Sequence, residues 1–313
     1  MKLFPYLEIA RPDHWFKNIF MLPGMLLYFY FHPESPPKIG DLPTVLIAVA
    51  ATCLIASSYY ILNELLDAPR DLHHPVKKHR PVPSGKVKLR PAYALFLLCG
   101  LAGLGLGALI STNMVLALGS LWAAGLAYNI PPVRTKDKPY LDVLSEAVNN
   151  PLRMLLGWYS VGQGAPPPLS ALLAYWMFGA FLMAIKRMAE YREIDNKEIA
   201  AAYRSSFAYY TAERLMVSIL YYATAFGLLS GYFIARYKLE LILAFPLVAY
   251  TMAYYFHIGF KKDSPVQNPE KLYKKRKLML CVGITFLVCT LLLFVHIPPL
   301  SQALSPQIPP PTP

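Results

Sequence analysis

The stretch NELLDAPRDLHHPVKKHRPVPSG, residues 63–85, begins at the end of a segment apolar enough to lie in a lipid bilayer, yet carries three acids and then a run of bases. Asn63, Asp67 and Asp71 stand four residues apart, so on a helix they share one face, each about 6 Å of axial rise from the next. Pro69 is expected to end the regular helix within this motif, leaving Asn63 and Asp67 on the last turns and Asp71 on the loop. Two carboxylates and an amide oxygen converging at a membrane surface suit Mg2+, a hard cation that takes oxygen ligands and keeps waters while it binds substrate phosphates. The alternative is a solvated helix end whose acids pair with Arg70, Lys77 and Lys78.

The rest of the chain supplies the membrane. Of 313 residues 56% are hydrophobic and 15% charged, too little polar surface to cover a water-soluble globule of this size. Apolar runs long enough for a hydrocarbon core of about 30 Å fall near 16–31, 42–66, 92–111, 113–130, 141–162, 169–190, 213–235, 239–259 and 278–297. The expected fold is an all-α integral membrane protein of nine transmembrane helices, one domain over 1–297, followed by an extended or disordered Pro-rich tail, 298–313. No small-residue cleavage site follows the first run, which argues against a signal peptide.

The basic residues test this topology. With the N-terminus cytoplasmic, 26 of the 30 Lys and Arg fall on the inner side, the outer loops keep Lys38, Arg236 and Lys238, and Arg153 lies within a span. The net charge of +12 therefore reflects orientation and anionic lipid or substrate rather than nucleic acid. The expected location is a multi-pass cell membrane with the site on the cytoplasmic side. Cys53, Cys99, Cys281 and Cys289 lie inside apolar runs without metal-like spacing and read as packing residues.

Acids contribute little to orientation, so those in the long inner loops need another explanation. In AIKRMAEYREIDNKE, Lys186 and Glu190 share one stripe, and Arg187, Tyr191 and Asp195 the adjacent one. Facing the first cluster across a cation, they would complete a metal-diphosphate site; the alternative is a surface helix held by i,i+4 ion pairs. Arg153 inside a span is a functional candidate by its cost, with a pair to Glu146 two turns away as the plainer reading. His73, His74 and His79 read as loop polar groups, since Mg2+ prefers oxygen.

Asn63, Asp67 and Asp71 resemble the NxxxDxxxD motif of the UbiA superfamily of intramembrane prenyltransferases, and YNIPPVRTKDKPYLDVLSE resembles that family's Tyr-x-x-Pro-Pro-x-Arg-x-Lys loop. Within it, RPDHWFKN (11–18), HPVKKHRPVPSG (74–85), Arg153 in NNPLRMLLG and IKRMAE (185–190) look like signatures of the decaprenyl-phosphate phosphoribosyltransferase branch. Two features depart from the pattern: Glu64 stands where the branch usually has Asp, though it can still bind metal, and the sixth loop lacks the DxxxD of typical aromatic prenyltransferases.

The resemblance implies Mg2+-dependent transfer of 5-phosphoribosyl from phosphoribosyl pyrophosphate to a polyprenyl phosphate, with diphosphate released. It implies Asn63, Asp67, Asp71 and Asp195 as metal ligands, and Asp67, Asp71, Lys186, Glu190 and Tyr191 as catalytic. Lys17, Lys77, Lys78, Arg80, Arg134, Lys136, Arg153 and Arg187 would bind substrate, because this donor and acceptor together carry more phosphate than a prenyl diphosphate. The runner-up is transfer of a prenyl group from its diphosphate to an aromatic or other acceptor. A transporter is the third reading, disfavoured because the acids cluster at one membrane face rather than at the midplane.

Overall fold

The computed structural model describes residues 4–72, 77–194, 204–261, 264–267 and 269–304, and every regular element among them is helical. Six helical stretches are long and apolar enough to cross a membrane: Ile39–Asp71, Leu89–Ala108, Leu169–Glu193, Ala212–Tyr237, Leu239–Gly259 and Arg276–Phe294. The other three expected spans are helical but interrupted or polar. Residues 12–21 form a 3-10 stretch that runs into a helix over Leu22–Phe31. Thr112–Asn129 begins and ends on polar side chains, and 141–161 is divided into Leu141–Ala147 and Asn149–Val161.

In chain order the helices are α1 (Phe4–Ala10), α2 (Leu22–Phe31), α3 (Leu42–Asp71), α4 (Leu89–Ala108), α5 (Thr112–Asn129), α6 (Leu141–Ala147), α7 (Asn149–Val161), α8 (Leu169–Glu193), α9 (Ala212–Tyr237), α10 (Phe245–Gly259), α11 (Arg276–Phe294) and α12 (Pro298–Leu304). The last differs from the expected extended or disordered tail over residues 298–304: two prolines in a first turn give up N–H groups that have no helical partner there.

Helix α3 also corrects the boundary read from Pro69. It continues through the proline to Asp71, and Leu72 N–H still bonds to the Ala68 carbonyl at 3.1 Å. A proline two residues from the end removes one hydrogen bond of the ladder. The Asp71 carboxylate, held by Arg80 at 2.8 Å, ties the last turn in place. Asn63, Asp67 and Asp71 therefore lie on one continuous helix.

Helix α3 is the interior element, with 61% of its most apolar stretch buried against 11% for α11. It packs on α4, α5 and α7. Leu280, Leu287 and Leu291 of α11, like Leu220, Tyr221 and Leu228 of α9, stand exposed, as lipid-facing side chains do. Close approach at glycine positions α7 against the N-terminal segment. A Cβ on Gly157 would collide with the Met21 carbonyl, and one on Gly24 with the Met154 carbonyl, so backbones touch at both points. Arg153, one turn before Gly157, is thereby brought against Asn18.

Candidate active site

The end of α3 meets the loop after α5. Asp67 Oδ1 accepts from Lys136 Nζ at 2.7 Å and from Arg134 Nη2 at 2.8 Å. Arg134, in the left-handed region at φ 23°, is also bound to Asp137 at 2.9 Å and to the Asn129 carbonyl at 3.1 Å. Arg70 pairs with both oxygens of Asp137 at 3.1 Å rather than with the α3 acids. Burial pushes the Lys136 ammonium down to about 8 against the pull of Asp67, and burial followed by the nearby Arg80 pushes Lys77 down to about 8.

These side chains line a cleft of about 50 Å3 formed by Asp67, Arg70, Asp71, Lys77, Arg134, Lys136, Asp137 and Arg204. Arg134 and Lys136 rest on Asp67 and Arg80 rests on Asp71, so an anion entering here competes with these acids for the bases. Five bases face three acids, a surplus of two positive charges aimed at an anion.

The cleft also fits a hard divalent ion. Asn129 commits its Nδ2 to the Gly125 carbonyl at 2.9 Å, so its Oδ1 accepts from Lys136 at 2.9 Å and from Asn63 Nδ2 at 2.6 Å. Asn63 must then turn its own Oδ1 away from Asn129, on the same stripe as Asp67 and Asp71. Among the described residues no three His, Cys, Asp or Glu side chains could hold a metal by themselves. An ion here would rest on Asn63, Asp67 and Asp71, with phosphate and water completing its shell, the manner of Mg2+.

A second cluster lies behind the first. Arg187, fully buried, binds Asp142 at 3.0 Å, Glu146 at 2.5 Å and Glu190 at 3.0 Å. Asp142, also fully buried, accepts from Tyr210 Oη at 2.6 Å and Ser206 Oγ at 3.2 Å. Tyr128 joins the clusters: its hydroxyl bonds to Glu146 at 3.2 Å and lies 3.4 Å from Arg204 Nη1, and its ring centroid lies 5.9 Å from Lys136 Nζ.

In a third group the bases have no ion pair among the described residues, although Glu146 attracts Lys17 from farther off. Arg153, 3% exposed, donates to Tyr59 Oη at 3.0 Å, Asn18 Oδ1 at 3.2 Å and the Asn149 carbonyl at 3.5 Å. Lys17 Nζ lies 5.9 Å from the Tyr60 ring centroid. Among the described residues neither has a carboxylate within ion-pair distance, which corrects the plainer reading of an Arg153–Glu146 pair: Arg187 and Lys186 take Glu146 instead. A guanidinium buried among neutral partners keeps an uncompensated positive charge inside the protein.

Comparison with known proteins bears on this geometry. The model of the UbiA prenyltransferase family matches residues 19–281. The chain belongs to that family. It is 29% identical over 216 residues to a decaprenyl-phosphate phosphoribosyltransferase of Mycolicibacterium smegmatis, covering 67% of this chain and 63% of that protein. It is 28% identical over 231 residues to the protein of the same description from Mycobacterium tuberculosis, covering 72% of each. A UbiA homolog from Archaeoglobus fulgidus, solved bound to DMAPP and Mg2+, has the same fold, with a TM-score of 0.67 at 21% identity over 91% of this chain and 99% of that one.

This UbiA transferase brings together only part of the expected set. Asp67, Asp71, Lys77, Arg134 and Lys136 line the cleft, and Asn63 lies on the Asp67–Asp71 stripe. Arg80 sits on Asp71, facing a neighbouring groove of about 440 Å3. Arg187 does not reach the cleft, since carboxylates take up its guanidinium, and Lys186 stands 4.0 Å from Glu146. Glu190 serves Arg187, Tyr191 packs edge-on against Phe207 at 6.0 Å, and Lys78 is exposed away from the cleft. Asp195, His73 and His74 lie outside the described residues.

Glu64 binds the Val82 N–H at 3.0 Å, so it fastens the turn after Arg80 instead of adding a metal ligand. Sequence reading assigned no role in the site to Arg204, Tyr128, Asn129, Asp137, Asp142 or Glu146. Asp142 and Glu146 carry the same four-residue spacing as the α3 motif, a signal that was there to read; nothing local marks Arg204.

Proposed function

We propose that the protein transfers 5-phosphoribosyl from phosphoribosyl pyrophosphate to a polyprenyl phosphate, releasing diphosphate, with nine membrane-spanning segments and the site on the cytoplasmic side of the cell membrane. The observation that carries the reading is the pair of separate anion sites. One, at Asp67 and Asp71, mixes acids with surplus bases and suits a metal-bound diphosphate. The other, at Arg153 and Lys17, has no carboxylate within ion-pair distance among the described residues and suits a phosphate that needs no metal. A prenyl donor with a neutral acceptor uses the first and leaves a buried cation in the second without a purpose. The names of the mycobacterial relatives support the same choice.

In the reaction a phosphate oxygen of the lipid forms a bond to ribose C1, the C1–O bond to the diphosphate breaks, and the diphosphate leaves with the electron pair. Arg153 and Lys17 hold the lipid phosphate, with the Tyr59 hydroxyl and the Asn18 amide fixing the guanidinium plane. Arg134 and Lys136 leave Asp67 to neutralise the departing diphosphate, and Lys77, which lines the same cleft, adds to that charge. Bound on Asn63, Asp67 and Asp71, Mg2+ would polarise the diphosphate oxygens.

Purified protein given Mg2+, phosphoribosyl pyrophosphate and a polyprenyl phosphate should release pyrophosphate. Asp67→Asn and Asp71→Asn should each lower that rate by about 100-fold or more. Turnover of a prenyl diphosphate with an aromatic acceptor, and none with phosphoribosyl pyrophosphate, would overturn the proposal in favour of the runner-up. Unaltered rates in both variants would point to a protein that is not a metal-dependent transferase.

A further inference from the structure

Arg204 enters the cleft from the segment between α8 and α9, not from α3 or the loop after α5. Its guanidinium is not on the α3 acids in the way of Arg134, Lys136 and Arg80. Nη1 lies 3.6 Å from Asp142 Oδ2 and 3.4 Å from the Tyr128 hydroxyl, on the side of the Arg187 cluster. The anchor is built: Asp142 is fully buried and gathers Arg187, Ser206 and Tyr210, and the Tyr210 oxygen in turn accepts the Tyr140 N–H at 2.6 Å. One carboxylate thus nails down residues 204–210 and leaves Arg204, 18% exposed, lining the same cleft as Asp67 and Asp71 without an ion pair to either.

We propose that Arg204 is a donor-specificity residue that binds the phosphate monoester of the sugar, the group at C5, while the diphosphate at C1 lies on Asp67, Asp71, Arg134 and Lys136. This rests on the proposed function and names a subsite within it. A phosphate monoester brings about −1.5 to −2 charges at neutral pH, which a prenyl diphosphate lacks at that distance from its reacting carbon. A donor with anionic groups on both sides of a ribose needs bases at two places, and Arg204, held from the Asp142 side, is a base of this cleft that the α3 acids do not hold. A planar guanidinium held from behind is suited to bind two of the phosphate oxygens at once.

The test uses two competitors, each carrying half of the donor's charge. Inhibition constants of ribose 5-phosphate and of magnesium pyrophosphate against phosphoribosyl pyrophosphate are measured for wild type, Arg204→Gln and Arg204→Lys. In Arg204→Gln the ribose 5-phosphate constant and the KM of phosphoribosyl pyrophosphate should rise together by about 10- to 100-fold, the loss of one charge-assisted contact. The pyrophosphate constant should stay within about twofold, which also reports that the cleft is folded, and Arg204→Lys should recover part of the loss. A pyrophosphate constant that rises as much as the other, or a ribose 5-phosphate constant that does not move, overturns the assignment. Arg204→Gln and Arg204→Lys both failing to bind pyrophosphate would overturn it too, making Arg204 a structural residue. In each of these cases wild type still turns over phosphoribosyl pyrophosphate; if wild type does not, the proposed function itself has failed.

Discussion

Replacing Arg153 by methionine is expected to cost the enzyme its lipid substrate and spare the fold, whereas replacing Arg187 by methionine does the reverse. Arg153 bonds only to neutral acceptors, and Asn18 keeps its Nδ2 contact to Cys53 Sγ at 3.1 Å without it. Leaving the Asn18 and Tyr59 oxygens unpaired costs about 1–3 kcal/mol each. Removing an uncompensated buried cation returns a desolvation penalty of several kcal/mol, so the two effects nearly cancel, within about 2 kcal/mol. Arg187 is the opposite case, because its loss strands Asp142, Glu146 and Glu190 in a site it had neutralised.

Breaking even one buried pair costs about 3–5 kcal/mol, a large share of a total stability of about 5–15 kcal/mol. Thermal melts in detergent followed by size-exclusion chromatography measure the first quantity, and the KM for polyprenyl phosphate the second. Arg153→Met should melt near wild type with that KM raised about 10-fold or more and the KM for phosphoribosyl pyrophosphate little changed. Arg187→Met should melt far below it. Equal destabilisation by both substitutions would refute the assignment of one cation to substrate and the other to the fold, as would an Arg153→Met enzyme with an unchanged lipid KM.

Three further outcomes are expected. Lys77 and Lys136, pushed down to about 8, are protonated below that pH and neutral above it in the empty site, and only the protonated form attracts phosphate. The KM for phosphoribosyl pyrophosphate should therefore climb above pH 8, by up to about tenfold per pH unit for each group. The Lys77→Arg/Lys136→Arg double variant, charged throughout, should flatten the climb, and an equal climb in that variant counts against these lysines as phosphate ligands. Gly157→Ala should force α7 off the Met21 backbone, lowering stability by about 1–3 kcal/mol in a melt and raising the lipid KM as Asn18 and Arg153 part. Glu64→Ala removes the acceptor of the buried Val82 N–H, at about 1–3 kcal/mol, and loosens Arg80 from Asp71, while Glu64→Gln keeps an acceptor; identical melts for the two variants would discount the clamp.

What was legible in the sequence was whatever one segment encodes by itself. The stripe of Asn63, Asp67 and Asp71 depends on helical spacing alone, and it survived even the misplaced helix end, because a proline so near the terminus removes a single bond. That the chain is helical and rich in apolar runs was legible for the same reason, although among the described residues six helical stretches, not nine, are long and apolar enough to cross a membrane by themselves. In 12–31 and 141–161, the segments that carry Lys17, Asn18 and Arg153, polar residues and interruptions replace the uniform apolar run.

Partner choice is a different kind of information. Lys186, Arg187, Glu190 and Tyr191 made a regular pattern of charge on α8, and that pattern reads the same whether it faces a ligand or other helices. Asp142 and Glu146 decide the matter by occupying Arg187, and they lie more than forty residues away in sequence. Arg153 has the same composition of surroundings from a sequence standpoint, with Glu146 two turns off, yet that acid is already taken. Arg187 thus leaves the substrate-binding set its pattern suggested, whereas Arg153 stays the candidate that its cost within a span made it, with no carboxylate in ion-pair distance among the described residues. A charge inside a membrane protein is best assigned by counting which of its neighbours are already spent, a count that requires the packed helices and not the spacing along any one of them.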